Sequence, residues 1–161
     1  MPPKNISSYS DRAIALIVLS KMLYGMTAAS SGSEELRAEH RRLLNESLVS
    51  LSPDPEFDLS SIPWDNLLDS IVRCHPYICV QADTGLFTLR ELRYMAAIIC
   101  GLSGKEFGII TGYRSHYNLS WSIRQKLNQP AGSYNLRTLL HDLYEKTSDM
   151  KLSIALHRNQ I

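Results

Sequence analysis

The sequence predicts an all-α protein. Three observations carry that expectation. Ser/Thr-x-x-Glu capping signatures stand directly ahead of apolar runs, apolar residues recur at helical spacing, and Gly or Pro follows most of these runs. Asp11 is placed to cap a first helix over residues 11–29. Its apolar positions fall on two stripes: Ile14, Ile17 and Val18 on one, Leu16, Leu19, Leu23 and Met26 on the other. A helix apolar on most of its circumference needs cover on more than one side, from a bundle or a second subunit.

Residues 30–33, with Gly32, form a turn, and Ser31 and Glu34 at capping-box spacing open a second helix over residues 33–51. Leu36, Leu43, Leu44, Leu48 and Leu51 mark its single stripe, and the charged residues around them form a solvated face. Residues 1–51 thus predict an antiparallel helical hairpin. Residues 52–61, holding Pro53 and Pro55, read as a linker. Pro63 suits the first position of a connecting helix to residue 74, where Trp64, Leu67, Leu68, Ile71 and Val72 share one face. His75-Pro76 is expected to end it, leaving residues 77–87 irregular or briefly extended and closing a second segment at 52–86.

Beyond residue 87 the punctuation becomes dense. Thr88 and Glu91 open a helix over 88–100 that Gly101 stops, and Ser103 and Glu106 open a short one over 103–110 that Gly112 ends. Ser115 is placed to cap a third over 115–127, broken by Pro130 and Gly132. A fourth spans 134–147 with Leu136, Leu139, Leu140 and Leu143 on one face. A short helix, a tight Gly-containing turn and a second helix bearing polar residues make a helix-turn-helix, here within a 87–147 unit followed by a 148–161 tail.

Charge divides along the same line. Residues 1–84 carry seven Lys and Arg against eleven Asp and Glu, a net of −4; residues 85–161 carry ten against five, a net of +5. A basic C-terminal half is what phosphate binding needs. The three cysteines, Cys74, Cys79 and Cys100, do not make a disulfide framework, and Cys74-His75-x3-Cys79 lacks the matching half of a metal site. Both features suit a reducing cytoplasm. The longest apolar run, residues 13–19, is far shorter than the ~20 residues of a membrane span. Lys21 and Tyr24 interrupt it too early for a signal peptide.

The residues themselves narrow the reading. Phe87-Thr88-Leu89-Arg90-Glu91-Leu92, Gly101-Leu102-Ser103-Gly104-Lys105-Glu106-Phe107-Gly108 and Ile123-Arg124-Gln125-Lys126-Leu127 resemble the LuxR-type helix-turn-helix domain. Asn135-Leu136-Arg137-Thr138-Leu139-Leu140 is similar to the fourth helix of the variant found in Bacteroidetes-type sensory regulators. The resemblance covers residues 87–143. Between Gly112 and Lys126-Leu127 the chain is slightly shorter than the family spacing, and His116 stands where the family has an early hydrophobic residue. What the resemblance implies is a four-helix DNA-binding module and a regulator of transcription acting on double-stranded DNA as a homodimer. In that family the fourth helix often takes part in dimerisation, and the doubly apolar first helix is expected to share that work.

If His116, Leu119, Ile123 and Leu127 form the buried stripe of the third helix, its opposite face is Tyr117, Asn118, Trp121, Arg124 and Gln125. Lys105 and Arg114 are then expected to clamp phosphates beside the groove. Asn118 and Gln125 have the amide geometry to bond adenine edges. Ser103 and Ser115, at the starts of the two helices, join Trp121 and Arg124 to complete the expected DNA-binding set. A second reading, from a different class, is an adaptor that binds a partner protein through Tyr117 and Trp121. An enzyme is not expected: no Gly-rich phosphate loop, nucleophile elbow or zinc motif occurs, and no cofactor or metal is implied. Cys100 falls at a helix C-terminus, where the dipole raises a thiol pKa.

Overall fold

The computed structural model describes residues 11–28, 58–113, 115–128 and 135–146, together with residues 38, 41, 42, 45 and 46. Among the described residues there are helices and no strand, as the capping signals and stripes predict. The second helix of the expected hairpin lies outside them except for those five positions, which are helical. So do the 148–161 tail and the start of the linker.

The helices are α1 (Asp11–Ala28), α2 (Trp64–Cys74), α3 (Pro76–Asp83), α4 (Leu89–Ile99), α5 (Gly104–Thr111), α6 (His116–Lys126) and α7 (136–146). A 3-10 turn, Leu59–Ser61, precedes α2 and lies within what reads as linker. It forms because the Asp58 carboxylate accepts from the Ser60 N–H at 3.1 Å, a local cap that competes with extended chain. Asp11 reaches the same turn. Its Oδ2 accepts from the Leu59 N–H at 3.0 Å, tying α1 to the entry of α2 across 48 residues.

The core is built where α2 and α4 cross. Leu67, Leu68 and Ile71 of α2 and Met95 and Ala96 of α4 are fully buried, each large side chain contributing about 1.5–3 kcal/mol. On the rim of that contact the Arg93 guanidinium donates to both Asp69 oxygens, at 2.7 and 2.9 Å, fixing the rotation of the two helices about their axes. Phe107 of α5 closes the core edge-on to Tyr94, ring centroids 5.0 Å apart.

One helix is a correction. Residues 77–87 are expected to be irregular or briefly extended, but 77–83 join Pro76 in forming α3. The His75-Pro76 pair does end α2, as expected. But Pro76 occupies the first position of a new helix, where its missing N–H is not needed, and the buried His75 ring caps it. Nδ1 accepts from the Tyr77 and Ile78 N–H groups at 3.2 and 3.4 Å. Histidine is outside the usual set of capping residues, so the sequence pattern did not announce this start.

α1 also differs from its expected two stripes. One inward face holds Ala15, Val18, Leu19 and Met22, all buried, with Ile14 at its edge. Leu16, Ile17 and Leu23 face outward, so the face cuts across both expected stripes. The side chain of Met26 lies outside the described residues. Near its end α1 runs against Cys100 at the close of α4. A Cβ on Gly25 would stand 2.7 Å from Cys100 Sγ and 2.9 Å from its Cα. The Cα is backbone and cannot rotate away. Gly25→Ala is therefore expected to lower the unfolding free energy by about 1–3 kcal/mol through overpacking. A denaturant midpoint equal to that of the unsubstituted protein would refute the contact.

α7 packs by Leu136, Leu139 and Leu140, all buried, as its apolar stripe predicts. It starts at Asn135, whose Oδ1 accepts from the Thr138 N–H at 2.8 Å. Tyr144 lies against His75, ring centroids 5.0 Å apart, so α7 rests on the α2–α3 corner.

Candidate nucleic-acid interface

The two helices that the sequence reads as a helix-turn-helix are α5 and α6, which pack on each other and on α4. Two capping boxes position these helices, both as the sequence predicts. Thr88 accepts from the Glu91 N–H at 3.1 Å while Glu91 Oε1 accepts from the Thr88 N–H at 2.8 Å. Ser103 and Glu106 do the same for α5. Gly112 ends α5 with φ of 76°, the left-handed conformation that lets the chain reverse toward α6 and that a side chain disfavours. The far end of α6 closes at Asn128, also left-handed with φ of 57°, before the expected breakers Pro130 and Gly132 are reached.

Both capping glutamates have a second task that their local spacing does not reveal. Glu91 is 3% exposed. Its carboxylate accepts from Ser122 Oγ and from Lys126 Nζ, both at 2.6 Å, so it clamps α6 to the start of α4. Burial pushes the Glu91 carboxyl up, but the hydrogen bonds from Lys126, Ser122 and Thr88 outweigh it and hold it below its ordinary value. Glu106 accepts from Lys21 of α1 at 2.7 and 3.0 Å, fixing α5 to the N-terminal helix. There too, burial raises the carboxyl, and Lys21 and the Ser103 cap lower it further. The one available sequence signal for the Glu91 clamp was the four-residue spacing of Ser122 and Lys126, one turn apart along α6.

Inward, α6 places Leu119 and Ile123 in the core, as expected. His116, expected in that stripe, is half-buried, its ring lying against Gly104. Outward, Tyr117 is 79% and Trp121 60% exposed, and Asn118 and Gln125 are exposed with them. Arg124 is a correction. Expected on the outward face, it is only 9% exposed, near Tyr94, whose hydroxyl feels its charge. Arg124 sits at the edge of the apolar stripe, where a long side chain can lay its stem against the core.

Of the remaining expected contacts, Lys105 is exposed on the first turn of α5. Ser103, also exposed, has its hydroxyl oxygen engaged by the Glu106 N–H. Ser115 stands exposed at the cap position of α6 but makes no side-chain capping bond. Arg114 lies outside the described residues. Arg90, to which the sequence pattern assigns no role, is exposed with its guanidinium 4.4 Å from the centre of the Tyr113 ring.

Cys100 is buried, and that burial pushes its thiol up to about 12. The direction is the one expected of a helix C-terminus, but removal from water is the cause. Among the described residues no helix is long and apolar enough to cross a membrane, and no cluster of metal-ligating side chains occurs. Comparison with protein-family models, with curated proteins and with solved structures returned no match.

Proposed function

We propose that the chain is a DNA-binding regulator of transcription that uses α5 and α6 as a LuxR-like helix-turn-helix on double-stranded DNA. The observation that supports this most is the outward face of α6. The helix is held from behind by Leu119, Ile123 and the Glu91 clamp, leaving Ser115, Asn118 and Gln125 exposed, with Lys105 exposed on α5. A rigidly held helix presenting amides, flanked by a cation, suits a major groove.

The test is a salt titration of binding to random duplex DNA. Affinity is expected to fall with salt, and Lys105→Ala and Arg114→Ala are each expected to weaken binding to every sequence and flatten the slope by about one unit. Asn118→Ala is expected to cost about 1–3 kcal/mol on a preferred site and little elsewhere. A specific observation favours the adaptor as second reading, namely the exposure of both Tyr117 and Trp121 on one helix. Absence of salt-dependent DNA affinity selects it, and Trp121→Ala then abolishes partner binding with the fold intact.

In this reading the chain works as a homodimer, with Leu16 and Ile17 on the outward face of α1 at the contact. Light scattering is expected to give twice the chain mass, and Leu16→Glu with Ile17→Glu to give a monomer. A monomer before substitution rejects the dimer.

A further inference from the structure

From the exposed face of α6 we infer that the module discriminates by the major-groove edges of A·T pairs, that face presenting neither the Lys or Arg that reads guanine nor the carboxylate that reads cytosine. The inference rests on the DNA-binding reading above. At about 100° per residue, Tyr117, Trp121, Gln125 and Asn118 follow one another around a single arc of α6, and all four are exposed. The two basic residues of the helix are turned elsewhere. Arg124 is buried, and Lys126 Nζ is held 2.6 Å from the Glu91 carboxylate on the flank. The helix sequence, HYNLSWSIRQK, contains no acidic residue.

Each absence removes a particular base contact. Guanine is read through O6 and N7 by a forked or pointed cation, and cytosine N4 donates to a carboxylate. The exposed arc offers neither. It offers two amides, each able to donate to adenine N7 and accept from adenine N6. It also offers two aromatic rings, apolar surface for a thymine methyl group. Around the arc the two rings lie on one side and the two amides on the other, while along the helix axis ring and amide alternate in the order Tyr117, Asn118, Trp121, Gln125. Phosphate attraction, supplied from outside the arc by residues such as Lys105, carries no sequence information.

The experiment uses the full chain and four duplexes of equal length at one salt concentration. One is G·C-rich and one A·T-rich; the others repeat the A·T-rich sequence with uracil for thymine or 7-deazaadenine for adenine. These replacements alter only the major-groove edge, so a preference for a narrow minor groove is blind to them. The A·T-rich duplex is expected to bind about tenfold or more tighter than the G·C-rich one, and both replacements to erode that advantage. Trp121→Ala is expected to abolish the difference between thymine and uracil. Asn118→Ala and Gln125→Ala are expected to abolish the response to 7-deazaadenine. Salt-dependent binding with equal or reversed affinities overturns the inference and leaves the DNA-binding reading standing. So does an A·T preference insensitive to both replacements. Absence of salt-dependent binding to any duplex overturns both, and points to a protein partner for the same face.

Discussion

Glu91→Ala is expected to lower the unfolding free energy by roughly 2–4 kcal/mol, measured by urea titration at pH 7. The reason lies in what the carboxylate holds. It is 3% exposed and accepts from the Thr88 N–H, the Ser122 hydroxyl and the Lys126 ammonium. Alanine keeps the Thr88 hydroxyl cap on the residue-91 N–H but leaves the Thr88 N–H without its acceptor and removes both ties to α6. Lys126 is about a third exposed and can turn to water, which keeps the loss below that of a fully buried ion pair. Glu91→Gln preserves a capping-box acceptor but not the charge, so it is expected to lose less than alanine does. The pH dependence has a definite sign. The Glu91 carboxyl is held below its ordinary 4.5, so its contribution is complete above that value and disappears as pH falls through the lower folded value. An Ala variant with unchanged stability would show that α6 is held by its apolar stripe alone.

His75 sets the second large effect. Burial, aided by the nearby charge of His141, lowers its pKa from 6.5 to about 4. Unfolded chain takes up a proton as pH drops below 6.5, while the folded protein resists until about 4. Stability is therefore full above 6.5 and falls between 6.5 and 4, by about 3 kcal/mol in total. The geometry agrees with that sign. Nδ1 is an acceptor for two N–H groups at the start of α3, and a proton there would oppose both donors and the positive end of the helix. His75→Asn keeps a capping acceptor and has nothing to titrate. Thermal melts between pH 7 and 5 are expected to drift downward in the unsubstituted protein and stay level in the variant. An equal drift in both would remove His75 as the cause. Glu91 and Glu106 add their own losses only at lower pH, which keeps the upper part of the window for the histidine.

The features that the sequence determined are those governed by neighbours three or four residues away. Thr88 with Glu91 and Ser103 with Glu106 are capping boxes in the letters and in the structure, because both partners of each bond lie within one turn. The stop at Gly112, the stripe of α2 and the outward placing of Tyr117, Asn118, Trp121 and Gln125 are legible for the same reason. The all-helical character follows from their sum.

Tertiary structure decided the rest. α3 exists because the ring of His75, buried among α2, α3 and Tyr144, has its acceptor nitrogen aimed at backbone donors, and a histidine caps only where packing fixes its ring. The inward face of α1 is chosen by what lies opposite. Cys100 requires Gly25 on that side, and Lys21 must reach Glu106, so Leu16 and Ile17 turn out although they are as apolar as Val18. Arg124 and Arg93 are alike in sequence character, yet one enters the core edge and the other forks onto Asp69. A charge states where it can go only once its partners across the fold are placed. The candidate base-reading face was thus half legible: its amides and rings came from helical period, and its neutrality came from the burial of Arg124 and the capture of Lys126 by a glutamate 35 residues away.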